Sequence, residues 1–468
     1  MATSALDSER HGVLTVRAVH VADRRTRGLG ANKAQTKELD LPHWGWPEWY
    51  LVAQTALPAL LYLPGTQAIR LPLRMGPFVL GFIAFALVHI KRGRLAAHPS
   101  VPWLISVCVL LFLLLAHPMT EIGEGIAQIG LYVSVMLPVF WVPDLIRGPT
   151  HLNRLLWILL ICSGVNATVG LLQVHNPAQW LPQEFAQLSI LSYDGALSYV
   201  GAGGRIIVRP PGLFDTPGAA CGPGAVAAVL GLVFGLAPEL SRPKRLISLA
   251  LAFAGVAVIY LTHVRANFVV VLISASAFAL VLFAQRRNHR AVVFLALLVA
   301  VLISALVFAV NIGGEGIQDR YGTLIARNPL TVYYENRGVS LQNAFQQLLF
   351  DYPLGAGLGQ WGMAAHYFGA TNSGKFAEIQ SSGWILDGGI LLLLGYVAAL
   401  FATITYEYRI AIHASNENLR YPAAIVVALN VGVIALTFSF VPFVSQVGIQ
   451  FWFLAGALHG ARHASNQT

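Results

Sequence analysis

The sequence predicts an all-α integral membrane protein, and three observations lead there. Of 468 residues, 56% are hydrophobic and only 11% charged, with a mean hydropathy of +0.64, whereas soluble domains carry about 25% charged residues. The charges fall in short clusters between apolar runs of about 20 residues, the length that crosses a bilayer as a helix. No stretch alternates apolar and polar residues over strands of about ten, as a membrane barrel requires.

The tail at 1–43 is polar, basic and without apolar periodicity, so it reads as a disordered cytoplasmic segment; no cleavable signal peptide is visible. Breaking the apolar runs at charge, Pro and Gly clusters then gives about 12 transmembrane helices, at 49–65, 71–90, 100–117, 126–142, 154–174, 212–236, 245–262, 265–284, 291–311, 384–405, 421–441 and 443–461. An even count puts both termini on one face. Of the 30 Lys and Arg, 21 fall on that face, in the tail, the short loops after even-numbered spans and the C-terminal end. The other nine are Arg70, Arg74, Arg205, Arg209, Arg265, Arg320, Arg327, Arg337 and Lys375, spread over much longer loops. Both termini are therefore expected to be cytoplasmic.

This topology, with anionic headgroups on the cytoplasmic side, accounts for the net charge of +9 and the pI near 9.6 without nucleic acid. Cys108, Cys162 and Cys221 lie in or beside apolar spans, without the spacing of a zinc or redox motif. Neither a metal nor a cofactor is implied. Trp44, Trp46, Trp49 and Trp141 read as interfacial belt residues.

Two outer connections, 175–211 and 312–383, are too long to be turns. The second follows the ninth span and divides 44–311 from 384–468, which holds the last three spans and a short cytoplasmic tail. It contains Tyr321, Tyr333, Tyr334, Phe345, Leu348, Leu349, Phe350, Trp361, Tyr367 and Phe368, enough apolar matter to pack. It is expected to form a large helical periplasmic cap, with one helix near 338–350.

These outer segments hold arginines against the positive-inside trend. Arg205 and Arg209 precede the sixth span in GGRIIVRPPGLFDTPG, Arg265 opens the eighth in THVRANF, and Arg320, Arg327 and Arg337 lie in the large loop. Each alone is readable as a solvated or snorkelling side chain. Arg265 stands where a span begins, a position costly for a charge unless it faces a polar cavity or partner. Guanidinium groups bind phosphate oxygens in bidentate fashion, so several converging on one pocket point to a phosphorylated or diphosphate ligand. His263, two residues before Arg265, is equally a core histidine bonded to a carbonyl. Tyr193 and Asp194 are readable as acceptor-path residues or as an ordinary turn.

At these residues the chain resembles the O-antigen ligase and O-antigen polymerase (Wzy-like) superfamily of bacterial membrane glycosyltransferases. The matching pieces are Arg209, Pro210, Gly212, Phe214 and Pro217 in an Arg-Pro-x-Gly-x-Phe-x-x-Pro run, and Thr262 with Arg265 in a Thr-x-x-Arg element. DYPLGAGLGQW at 351–361 and the Asp387, Gly388, Gly389, Ile390 step complete them. The resemblance spans roughly 150–460. It implies a GT-C-like fold in the bacterial inner membrane and transfer of saccharide from an undecaprenyl-diphosphate-linked oligosaccharide to a glycan or lipid acceptor. The reaction would be metal-independent and inverting, on the periplasmic side. Arg205, Arg209, Arg265 and Arg337 would hold the diphosphate.

One departure matters. Ligases of this family carry a His-Asn pair about nine residues before the last acidic position, with that His as general base; counting back from Asp387 lands on Glu378. Glu378 has the chemistry of a base, although it is also readable as a solvated loop acid. His366 and His263 are fallback bases or substrate contacts. The missing His favours a surface-polysaccharide polymerase over a ligase that attaches glycan to lipid A core. Rivals from another class are a twelve-span secondary transporter and a lipid-linked-glycan flippase. Against them stand the absence of a convincing internal repeat and the confinement of the arginines to one face.

Overall fold

The computed structural model describes residues 43–63, 65–92, 97–181, 198–204, 206–362, 364–365 and 376–467. The basic tail up to residue 42, Tyr193, Asp194, Arg205, His366 and Lys375 lie outside them. The chain divides into Met1–His43 and Trp44–Thr468, and the described helices all belong to the second unit.

A helix stands at every one of the twelve apolar runs. In chain order these are α1 (Trp46–Ala59), α2 (Arg70–Arg92), α3 (Val101–Leu113), α4 (Ile122–Met136), α5 (Pro149–His175), α6 (Cys221–Gly235), α7 (Arg242–Thr262), α8 (Arg265–Ala284) and α9 (Asn288–Gly313). After α10 (Glu315–Ala326) and α11 (Pro329–Tyr333) come α12 (Gln380–His413), α13 (Glu417–Leu436) and α14 (Gln446–Gln467). Seven of these are long and apolar enough to cross a bilayer: α2, α5, α7, α8, α9, α12 and α13. An eighth is added if α4 and the following Pro138–Leu145, bent 40° from it, form one span. Pro138 accounts for the break, because it lacks the N–H that would continue the ladder. The protein is thus an all-α, multi-pass membrane protein.

Its surface has the matching chemistry. Phe82, Ile83, Leu87 and Ile90 on α2, and Val292, Val299, Ile303 and Val307 on α9, are exposed. So broad an apolar coat is what hydrocarbon contact demands. Polar backbone groups are consumed inside the helices, the only economical arrangement in lipid.

The centre is built differently. α6 is apolar all round and is packed against α5 and α7, as its composition dictates. Small residues permit the approach: a Cβ on Gly224 would meet the Gly255 carbonyl, and one on Gly231 the Ser248 carbonyl. Helices without a hydrophobic drive between them associate through such close backbone packing.

Three details depart from the sequence reading. Residues 209–220, partly inside the expected sixth span, form turns before α6. A two-stranded antiparallel hairpin precedes them, β1 (Ser198–Val200) and β2 (Ile206–Val208), with Tyr199 opposite Ile207. Trp141 is no belt residue: it is fully buried against Tyr50 and Phe453, whereas Trp44, Trp46 and Trp49 are exposed.

In the large connection, α11 runs on through Tyr334–Gly338, Val339–Asn343, Ala344–Leu348 and Leu349–Asp351 with two wide π turns, covering the expected helix near 338–350.

Gly231→Val should force α6 away from α7 and cost about 1–3 kcal/mol through overpacking, seen as a lowered thermal midpoint in detergent. Gly123→Val, on α4 with open space around its Cβ, should leave the midpoint unchanged.

Candidate anion site at one end of the bundle

The turn between α7 and α8 collects the arginines. Thr262 ends α7, His263 takes a left-handed conformation with φ 59°, and Arg265 begins α8. Arg209 Nε donates to the Thr262 carbonyl at 2.7 Å, and Arg320 Nε, from α10, to the adjacent His263 carbonyl at 3.4 Å. Tyr321, next to Arg320, donates to the Ile259 carbonyl at 2.9 Å and so fixes α10 on the end of α7. Burial, with the neighbouring Arg320 charge, lowers the Arg209 guanidinium from its ordinary range. Three cations therefore share one turn, an arrangement that favours an anion in their field.

Arg209 is aimed by a loop that four other side chains hold. Gln173 on α5 donates to the Gly212 carbonyl at 2.7 Å and accepts from the Gly212 N–H at 2.9 Å. Tyr62 donates to the carbonyls of Gly212 and Phe214. Arg74 grips Asp215 through both carboxylate oxygens at 2.7 Å, and Arg70 adds a third bond at 2.7 Å. Burial pushes the Asp215 carboxyl up, yet the Arg74 and Arg70 hydrogen bonds and charges outweigh it and hold the group ionised, below the usual carboxylate range. Gly212 and Gly218 take φ of 66° and 77°, conformations that glycine adopts without strain, and the Gly218 N–H closes the turn on the Arg209 carbonyl at 3.1 Å.

His263 packs under this cluster, its ring 3.8 Å from that of Tyr199 on β1. Burial first, then the charges of Arg320 and Arg209, depress its pKa to about 4, and its buried Nε2 has no hydrogen-bond partner among the described residues. At neutral pH it is an uncharged imidazole.

Arg265 reaches the large connection, donating to Asn336 Oδ1 at 3.1 Å. The next residue, Arg337, pairs with Glu378 at 2.6 Å, and Ser340 Oγ donates to the same Glu378 oxygen at 2.8 Å. The Arg337 hydrogen bond is the main reason that the Glu378 carboxyl sits below its ordinary range. Glu378 is thus an ionised carboxylate within a chain of contacts leading to the cationic turn.

The glycine run completes this end. Gly355, Gly357 and Gly359 have φ of 99°, 102° and 77° and press backbone against Asp387, Met119 and Glu124, leaving no room for a Cβ. Asp387, fully buried at a break in α12 formed by Gly388 and Gly389, accepts from Gln128 and Tyr132 at 2.7 Å and from the Gly359 N–H at 3.2 Å. It is a buckle between α4, the glycine loop and α12.

Of the residues singled out from sequence, Arg209, Arg265, His263, Arg337 and Glu378 stand in this connected set; Arg205 and His366 lie outside the described residues. Sequence reasoning counted Arg320 among the outer arginines without giving it a place in the site, and left out Asn336, Ser340 and the Arg70–Arg74–Asp215 clamp. The clamp had a visible signal, two arginines four residues apart on one helix face. Among the described residues no three His, Cys, Asp or Glu side chains are grouped to hold a metal ion. No family profile matches this chain, and no curated protein is significantly similar to it.

A histidine depressed on folding is protonated first in the unfolded chain. Stability should therefore be full above about pH 6.5 and fall progressively toward about pH 4. Thermal midpoints in detergent from pH 7 to 4.5 should show a shallower acid loss for His263→Gln than for wild type.

Proposed function

We propose that the protein is a membrane glycosyltransferase that moves a saccharide from a polyprenyl diphosphate to an acceptor hydroxyl, acting as a surface-polysaccharide polymerase. The observation that carries this reading is the gathering of Arg209, Arg265 and Arg320 on one turn, joined through Asn336 and Arg337 to the carboxylate of Glu378. In this reading all twelve helical regions cross the inner membrane of a bacterium, both termini are cytoplasmic and the cationic turn is periplasmic.

Glycosyl transfer makes two demands. The acceptor hydroxyl must lose its proton, and the carbon–oxygen bond to the diphosphate must break while negative charge grows on the leaving group. Glu378 takes the proton; the fixed guanidinium groups receive the charge, with little reorganisation. The acceptor oxygen enters opposite the departing diphosphate, so the anomeric centre inverts. Donor binding supplies the coupling: a diphosphate competes for Arg337, and Glu378, relieved of its hydrogen-bonded cation, becomes a stronger base.

A ligase acting on lipid A core would use the same groups with another acceptor. Transport stays as a second reading on one specific ground, the fully buried Glu407 within α12, because an acid inside a membrane span is costly and commonly functional.

The deciding assay supplies purified protein with polyprenyl-diphosphate oligosaccharide, with and without lipid A core. Lengthening of the carrier-linked glycan, reduced at least about 100-fold in Arg265→Ala and Glu378→Gln, is the expected result. Product that forms only with lipid A core makes the protein a ligase. Absence of transfer by folded protein over several donors shifts the reading to transport.

A further inference from the structure

The opposite end of the bundle holds a second cationic site. A cavity of about 380 Å3 opens there, lined by Tyr406, Arg409, Ile410, His413, Ala414 and Arg462. Its charged lining is entirely basic in kind, two arginines and a histidine without a carboxylate. Arg409 and His413 lie four residues apart on the last turns of α12 and both are exposed. Among the described residues neither is engaged in a hydrogen bond or ion pair.

They are not needed as helix caps. The Ala414 carbonyl already accepts from Arg420 Nε at 2.7 Å, and the Ala411 carbonyl from Gln285 at 2.9 Å. The far wall is fixed: Arg462 on α14 lies over the Tyr406 ring, 5.2 Å from its centroid, and Tyr406 Oη is 2.6 Å from His459 Nδ1. The cavity thus offers one held guanidinium and two further cationic or hydrogen-bonding groups around a space of small-ligand size.

We infer that this cavity binds the phosphate of an anionic phospholipid, held between Arg409, His413 and Arg462. Forked guanidinium groups suit phosphate oxygens. The lipid source is set by position: the cavity lies at the last turns of α12, a helix apolar and long enough to cross the bilayer, and the end of such a span stands at the level of the headgroups. A lipid headgroup at that level keeps its acyl chains in the adjoining hydrocarbon, an anchorage that a soluble phosphate lacks. The inference is independent of the reaction at the other end.

The test is retention of lipid by the full chain in detergent, read by native mass spectrometry. Phosphatidylglycerol, phosphatidylcholine and millimolar inorganic phosphate are the probes. Wild type should keep phosphatidylglycerol about tenfold better than phosphatidylcholine, and inorganic phosphate should not displace it. The Arg409→Gln/His413→Gln variant changes only exposed side chains and should drop to the phosphatidylcholine level. Arg290→Gln, an exposed arginine at the same end outside the cavity, should retain the preference. Equal retention of the two lipids by wild type, or undiminished preference in the double variant, overturns the site. Displacement by inorganic phosphate overturns its assignment to a lipid.

Discussion

Charge beside hydrocarbon is stable only with a partner, and this constraint organises both the interior and the ends of the molecule. Asp387, wholly buried, receives three hydrogen bonds. Glu407, equally buried in α12, takes the side-chain amide of Asn430 at 2.7 Å. Glu48, at the start of α1, sits against His151 at 3.1 Å and Arg154 at 3.6 Å. Asp387 and Glu48 tie their helices to ones distant in sequence, and Glu407 ties α12 to the helix that follows it, so the helix arrangement is set partly by where acids can be placed. Breaking one such pair leaves the remaining group without compensation, which costs more than the pair contributes.

At the cationic turn the same constraint works in the other direction. Arg209 and Arg320 spend their Nε hydrogen bonds on carbonyls at the end of α7, where the helix leaves acceptors without intrahelical donors. These bonds fix direction and leave the mutual repulsion of the cations in place. Acidic charge enters at the margins, Asp215 under Arg70 and Arg74 and Glu378 under Arg337. An incoming dianion would therefore relieve repulsion as well as form hydrogen bonds, which is how a preorganised site differs from a collection of surface arginines.

The helices are legible in the sequence because bilayer thickness fixes the length of an apolar run and leaves few ways to parse it. Features governed by contacts across the chain are not. Asp215 lies 145 and 141 residues from Arg70 and Arg74; the i, i+4 spacing of the two arginines marks one end of the clamp, but nothing local names its partner. Three-residue strands are too short to show alternation. Trp141 looks like any aromatic at a span end until its burial against Tyr50 is known. Apolarity alone ends the tenth span at 405, just before the charge of Glu407, yet α12 continues to His413; a paired acid does not stop a helix. For the site, residue types and order point to Arg209, Arg265 and Glu378, while Arg320 stands out only once α10 has folded back onto α7.

Glu378 shows how far such a site depends on residues that never touch it. Two residues later α12 begins, and Gln380 Oε1 accepts from the Phe443 N–H at 2.9 Å while its own N–H donates to the Thr437 carbonyl at 3.0 Å. Trp361, from the end of the glycine loop, packs against Gly383 so closely that a Cβ there would strike its ring. One turn further on, the Leu386 carbonyl accepts from the Ala356 N–H at 2.6 Å and Asp387 receives its buried donors. The first turn of α12 is thereby held from both sides, and the carboxylate just before it can move toward or away from Arg337 only by side-chain rotation. A carboxylate positioned this way stays beside Arg337, whose hydrogen bond is the main reason that it sits below its ordinary range.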